Sequence, residues 1–314
     1  MIRAQRRQGG VFILCALAVS AACVVLPRMN HSTELTVVAG LVLLLGVPHG
    51  ALDPLFARRL AAAKSAIGWV AIGLGYALLA IAVVGLWVVA PSLFLAGFLL
   101  ISAAHFSGDP GRQTGSLSRL LYGGGIIVIP ALLHSTEVET LFAALAGHAA
   151  ASSIMPVLQL MSGPWLFLLI VCAAIEARRD PLTGAELATL GALALIAPPL
   201  VAFATFFCAM HSPRHILRTA DYSSDLPKRV LWTAGLAPML IVFGAVAASW
   251  FQFGDSPIDD RIVQIMFVGL AALTVPHMVL VERVRLAGWR RSKAGLVSSA
   301  GSPARTGSAP PYRS

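Results

Sequence analysis

Apolar stretches close to twenty residues long recur from one end of the chain to the other. Residues 66–90, AIGWVAIGLGYALLAIAVVGLWVVA, hold no charged side chain. A helix of about twenty such residues matches the hydrocarbon thickness of a bilayer. In that solvent the backbone must satisfy its own hydrogen bonds, which leaves helices and closed barrels. The alternating short strands of a barrel are not in the sequence. The chain is therefore expected to be all-α: a polytopic integral-membrane helical bundle of eight to ten transmembrane helices. Only 12% of its 314 residues are charged, against about a quarter in soluble domains.

The spans expected from the pattern are 11–27, 35–52, 66–90, 92–107, 120–134, 138–160, 163–177, 184–210, 230–252 and 261–282. Thr136 and Glu139 form a T-x-x-E capping box before the sixth. With ten spans, Arg3, Arg6, Arg7, Arg58, Arg59, Lys64, Arg112, Arg119, Arg214, Arg218, Lys228 and Arg229 fall on the cytoplasmic side. Arg28, Arg178, Arg179 and Arg261 fall outside. This bias favours ten spans with both termini cytoplasmic, in a cell inner (plasma) membrane. Residues 1–287 read as a single transmembrane catalytic domain, with an uncleaved first helix. Residues 288–314, rich in Gly, Ser, Pro and Arg, read as a disordered basic cytoplasmic tail.

The net charge of +9 comes from loop and terminal Lys and Arg. No basic, aromatic-interleaved soluble module accompanies it, so nucleic acid is not expected as a partner. Cys15, Cys23, Cys172 and Cys208 lie singly in apolar segments and suggest packing, not a disulfide framework. Trp69, Trp87, Trp165, Trp232, Trp250 and Trp289 fall near expected span ends, as an interfacial belt does.

Five of the eight histidines sit in related settings. His49 is in GVPHGALDP, His105 in AAHFSGDP, His211 and His215 in MHSPRH, and His277 in VPHMVLVE. The first two share H-x-x-x-D-P; the first and last share V-P-H. With ten spans these motifs share one membrane depth, as a metal site requires. Imidazole is the commonest metal ligand, and ionisable groups inside a membrane default to function. Pro48 and Pro276 each remove a donor just before a histidine, freeing the carbonyls of Leu44 and Ala272. Ser212 and Pro213 look like an N-cap and first helical residue that interrupt the H-x-x-x-H pair.

Asp53, Asp109 and Glu282 are candidates to accept the second N–H of a histidine, which fixes its ring. Asp53 and Asp109 also read as turn or cap residues before proline, and Glu282 as an interfacial charge beside Arg283 or Arg285. His31 reads as loop, His134 as belonging to the opposite face, and His148 falls inside the sixth span.

At GVPHGALDP, AAHFSGDP, MHSPRH and VPHMVLVE the sequence resembles the Brp/Blh family of integral-membrane β-carotene 15,15′-dioxygenases, over about residues 35–285. The resemblance implies cleavage of the central double bond of β-carotene by O₂ to two molecules of all-trans-retinal, at a non-haem Fe(2+) site. It carries the family's iron ligands, and with them the catalytic role, onto His49, His105, His211 and His215. His277 is then an outer or substrate-facing residue. Nitrogen ligands that leave positions open suit non-haem oxygen chemistry. The partners implied are β-carotene, O₂ and the lipid bilayer, with a retinal-binding rhodopsin as a candidate consumer of the product. Two rival classes remain: a zinc-dependent membrane hydrolase, which lacks the H-E-x-x-H it would need, and a non-enzymatic metal- or haem-binding transporter, which lacks visible inverted repeats. The H-x-x-H-H clusters of di-iron desaturases are also missing.

Overall fold

The structure is a computed structural model. It describes residues 2–300 except 59, 112 and 253–256, and excepting the side chains at 2, 61, 62, 228, 231, 232 and 282–300. Among the described residues there is helix and no strand. In order these are α1 (Ile2–Val25), α2 (His31–Leu41), a π turn (Val42–Gly46), a 3-10 turn (Val47–Leu52) and α3 (Asp53–Ala57). Next come α4 (Ala66–Val89), α5 (Pro91–Phe106), α6 (Ser116–Val128), α7 (Ser135–Ala146), α8 (His148–Ala177) and α9 (Pro181–Ile196). The chain continues through α10 (Pro199–Phe206), a second π turn (Phe207–His211), α11 (Ser212–Tyr222), α12 (Lys228–Gln252) and α13 (Ile258–Ala300).

Among the described residues, six helices are long and apolar enough to cross a bilayer. The stretch Ser116–Leu132 and α7 pass that test only as a pair, bent by 110°; α5 and α9 are shorter apolar helices. α4 and α12 have no fully buried residue along their apolar windows, so most of their Leu, Ile and Val side chains face outward, as lipid-facing helices require. The core lies between α1, α6, α9 and α10, where Phe12, Tyr122, Leu190, Leu193 and Phe206 are fully buried. Small residues bring these helices together, as membrane packing favours. A Cβ at Gly123 would fall 2.1 Å from the Ala103 carbonyl oxygen of α5, and one at Gly124 would fall 2.3 Å from the Trp165 ring of α8.

The expected sixth, seventh and eighth spans divide differently. Residues 138–160 do not form one helix: Gly147, at φ 86° and ψ 158°, separates α7 from α8 in a conformation that is essentially glycine's alone. α8 then runs unbroken from 148 through 177, across Pro156 and Pro164. Conversely, 184–210 is not one helix. Ala197 is extended (ψ 149°), as the residue before a proline prefers, and Pro199 starts α10. α9 and the α10–α11 stretch are thus antiparallel: Glu186 near the start of α9 meets Arg214 of α11, while the Leu195 carbonyl at the far end meets His134.

Polar contacts sort the helix ends. Arg6 pairs with Asp180 and Arg58 with Asp225 at the end that holds the start of α1. Arg28 pairs with Glu137, and Ser32 donates to Asp259, at the opposite end. Arg178 and Arg179, expected opposite the N-terminus, therefore lie at its end. Smaller departures concern single residues. α7 starts at Ser135 with His134 as an unbonded cap, so Thr136 does not cap it. His31 opens α2, with Asn30 as its N-cap. Trp165 lies within α8 against Gly124, away from either helix end. All four cysteines are free; Cys172 is buried and Cys15 is exposed. Of the tail expected at 288–314, the side chains and all of 301–314 lie outside the described residues.

Candidate metal centre

Two π turns set the geometry. Such a turn widens the helix by one residue and re-aims the side chains after it, and it is frequent at functional sites. The first, Val42–Gly46, precedes Pro48, which has no N–H to continue the ladder; the 3-10 turn after it carries His49 inward. The second ends on His211. It absorbs Pro213, so the helix continues into α11 where a break was expected. The two turns pack on each other. A Cβ at Gly46 would lie 2.3 Å from Cε1 of Phe207, so only glycine lets that ring approach. The backbone oxygen supported from outside is that of Leu45, which accepts from the Ser212 hydroxyl at 2.7 Å.

These elements bring five histidines into one cluster. The ring centroid of His49 lies 4.9 Å from His211, 5.3 Å from His215, 5.6 Å from His277 and 6.4 Å from His105. His105 is 4.6 Å from His211 and 5.3 Å from His277. Nitrogens of His49, His105 and His277 lie within 4.8 Å of one another, close enough to share one metal ion. His49, His211 and His277 are buried; His105 and His215 are half-buried. His31, His134 and His148 are elsewhere: His134 binds the Leu195 carbonyl at the far end.

Four of the rings are held by their Nδ1 edge. Nδ1 of His49 donates to the Gly46 carbonyl at 2.6 Å. Nδ1 of His211 donates to Asp109, at 2.9 Å from Oδ2. Nδ1 of His277 donates to Asp53 at 2.5 Å. Thr219 sends its hydroxyl proton to the His215 carbonyl at 2.9 Å, so its oxygen is left to accept from His215 Nδ1 at 3.3 Å. A proton on Nδ1 puts the lone pair on Nε2. Nε2 of His105, His211 and His277 is buried with no hydrogen-bond partner. Buried polar atoms without partners call for an explanation. A cation among them supplies it, and neutral imidazoles with carboxylate-held N–H groups are the donor set a transition metal takes. The residues present fit a metal ion.

The carboxylates are paired across the fold, not within their own motifs. Asp53 of GVPHGALDP serves His277; Asp109 of AAHFSGDP serves His211. Neither caps a helix with its side chain. The side chain of Glu282 lies outside the described residues. Around Asp109 stands a set of groups the motifs did not reveal. Arg218 donates to the carbonyls of Gly108 and Asp109, each at 2.6 Å, and Arg119 to that of Ser107 at 2.9 Å. Cations at the carbonyl end of a helix are favourable, and these hold the α5 terminus and thereby Asp109. Arg214, 4% exposed, makes a two-pronged pair with Glu186 at 2.7 and 3.0 Å and donates to Gln8. In the sequence Arg214 and Arg218 read as loop charges. The signal for them is their spacing from His211 and His215 on one amphipathic helix.

Two apolar cavities are lined by residues close in sequence to the histidines. One, of about 80 Å³, is lined by Phe98, Ser102, Phe106, Leu145, Phe203 and Phe267. The other, of about 190 Å³, is lined among others by Val42, Val47, Trp250, Leu270 and Leu273. Phe106 neighbours His105, and Val47 lies two residues before His49.

A sequence model of the family described as beta-carotene 15,15′-dioxygenase matches residues 40–284, an interval that contains all five clustered histidines. The chain belongs to the β-carotene 15,15′-dioxygenase family. It is 31% identical over 260 residues to the beta-carotene 15,15′-dioxygenase of uncultured marine bacterium 66A03, covering 77% of this chain and 90% of that one. It is 23% identical over 277 residues to the probable beta-carotene 15,15′-dioxygenase Blh of Halobacterium salinarum, covering 75% of this chain and 80% of that one. No solved structure matches. Membership in a dioxygenase family agrees with a buried histidine cluster beside apolar space, inside an all-helical membrane protein.

Proposed function

We propose that the chain cleaves the central 15,15′ double bond of β-carotene with O₂, one oxygen atom going to each half, to give two molecules of all-trans-retinal. The observation that carries this is the cluster of five histidines, with Nε2 of His105, His211 and His277 buried and unpartnered and nitrogens of His49, His105 and His277 within 4.8 Å of one another. The metal is non-haem iron(II), held by Nε2 of His49, His105, His211 and His215. When bound it supplies the activation of O₂ that a closed-shell hydrocarbon does not undergo unaided.

The chain's own contribution is placement. Asp109 and the Gly46 carbonyl fix the rings of His211 and His49 before any substrate arrives. Phe106, Phe203 and Phe207 form apolar walls that exclude water and pack a polyene. Orientation of one alkene at a fixed centre is worth several orders of magnitude in rate. A substrate dissolved in lipid reaches these walls without crossing water. Asp53 and Asp109 are occupied by histidines and are not free to act as acid or base, which counts against a hydrolase.

The ion pairs that put Arg6, Arg58 and Asp180 at one end support a topology with that end, and both termini, on the cytoplasmic side of the plasma membrane. The retinal would supply a retinal-binding rhodopsin. Expression in β-carotene-producing cells tests the activity: retinal should accumulate as carotene colour fades. Unchanged carotene beside folded, iron-loaded protein rules it out.

A further inference from the structure

We propose that His277 is a fifth nitrogen ligand of this metal, held in place by Asp53 and Tyr76. The inference rests on the metal reading of the cluster. His277 comes from the middle of α13, far in sequence from the H-x-x-x-D-P motifs, yet its ring stands beside three of the other four. Its ring centroid is 4.8 Å from His215, 5.3 Å from His105 and 5.6 Å from His49. His277 is 2% exposed, and its Nε2 is buried without a partner.

Its opposite edge is anchored through both oxygens of a carboxylate. Nδ1 donates to Asp53 Oδ1, and the Tyr76 hydroxyl, from α4, lies 3.1 Å from Asp53 Oδ2 and 3.2 Å from the Leu273 carbonyl. Tyr76 is the polar side chain of an otherwise apolar, lipid-facing helix. A buried carboxylate with a histidine on one oxygen and a phenol on the other is held in one orientation. That arrangement orients a metal-bound imidazole and raises its basicity. A histidine that only lined the substrate path would need no such support, and its exposed nitrogen would face hydrocarbon unbonded.

The test is cobalt(II) binding to the full-length protein in detergent, with its visible absorption recorded. The parent, His49→Ala, His277→Ala, Asp53→Asn and Tyr76→Phe are compared after each is shown to be folded by thermal denaturation. His277→Ala should weaken cobalt binding at least tenfold and change the band positions of what remains. Asp53→Asn should weaken it tenfold to a hundredfold. Tyr76→Phe, which removes one oxygen and keeps the ring, should weaken it several-fold and decides the matter if His277→Ala does not fold. Parent affinity and an unchanged spectrum in His277→Ala, or in Tyr76→Phe where it must stand alone, overturn the proposal if His49→Ala has lost the metal. If His49→Ala also binds cobalt as the parent does, the metal reading of the whole cluster fails instead.

Discussion

Asp109 and His211 are separated by 102 residues in sequence, yet the carboxylate accepts the ring N–H at 2.9 Å in a buried contact. That bond joins the end of α5 to the second π turn, and it sets which nitrogen of His211 is free. Removing the charge while keeping the shape isolates its role. Asp109→Asn should lower iron(II) affinity tenfold to a hundredfold, the usual cost of losing a partner behind a ligand. Titration of the apoprotein measures this, with the melting temperature as a check on folding.

Glu186 is predicted to matter for stability more than for chemistry. It faces Arg214 in a pair whose side chains are only 4% and 5% exposed. Removing one partner of such a pair leaves a buried charge and costs about 3–5 kcal/mol. Glu186→Ala should therefore unfold in detergent at markedly lower temperature. The double variant Glu186→Ala/Arg214→Met should recover much of the loss; the same low melting temperature in both contradicts this role.

Gly46 is where the two π turns meet. Gly46→Ala drives a methyl into the Phe207 ring, and overpacking of this kind costs about 1–3 kcal/mol. Because Phe207 stacks on His211 at 5.4 Å, the displaced ring should also disturb the cluster. The expected result is lower thermal stability together with weaker metal binding. Adding Phe207→Leu should restore part of both.

Metal removal should loosen the fold. A ligand that binds only the folded state stabilises it by about 2.7 kcal/mol at a hundred times its dissociation constant. Chelator treatment should lower the melting temperature, and iron(II) should restore it in the parent but not in His49→Ala. Equal melting curves with and without chelator go against a metal in the cluster.

Much of this architecture was legible because bilayer physics is local. Residues 66–90 can be little other than a spanning helix, and helix α4 is found at Ala66–Val89. The histidines stood out for the same reason, being ionisable groups beside proline and glycine in apolar runs. Their partners did not stand out, because pairing is tertiary. Asp53 lies four residues from His49 but bonds His277, and Tyr76 is one polar residue in a greasy helix. The region 138–210 misled in two compensating ways. Gly147 divides what hydropathy joins, and Ala197 before Pro198 reverses a chain that reads as one apolar segment. The two errors offset each other in chain direction, so the histidine motifs still meet at one depth. The π turns were harder to read: Gly46, where they meet, looks like an ordinary small residue in the sequence, and Pro48 and Pro213 look like simple helix breaks.

Central cleavage at the histidine cluster is tested most directly by one measurement. It is the product of the purified, iron(II)-loaded protein given β-carotene and O₂, with His49→Ala and His211→Ala run beside it. Two retinal molecules should form for each β-carotene consumed, and none with either folded variant. Unequal cleavage products from the parent, or retinal formed by the variants at the parent's rate, would contradict it.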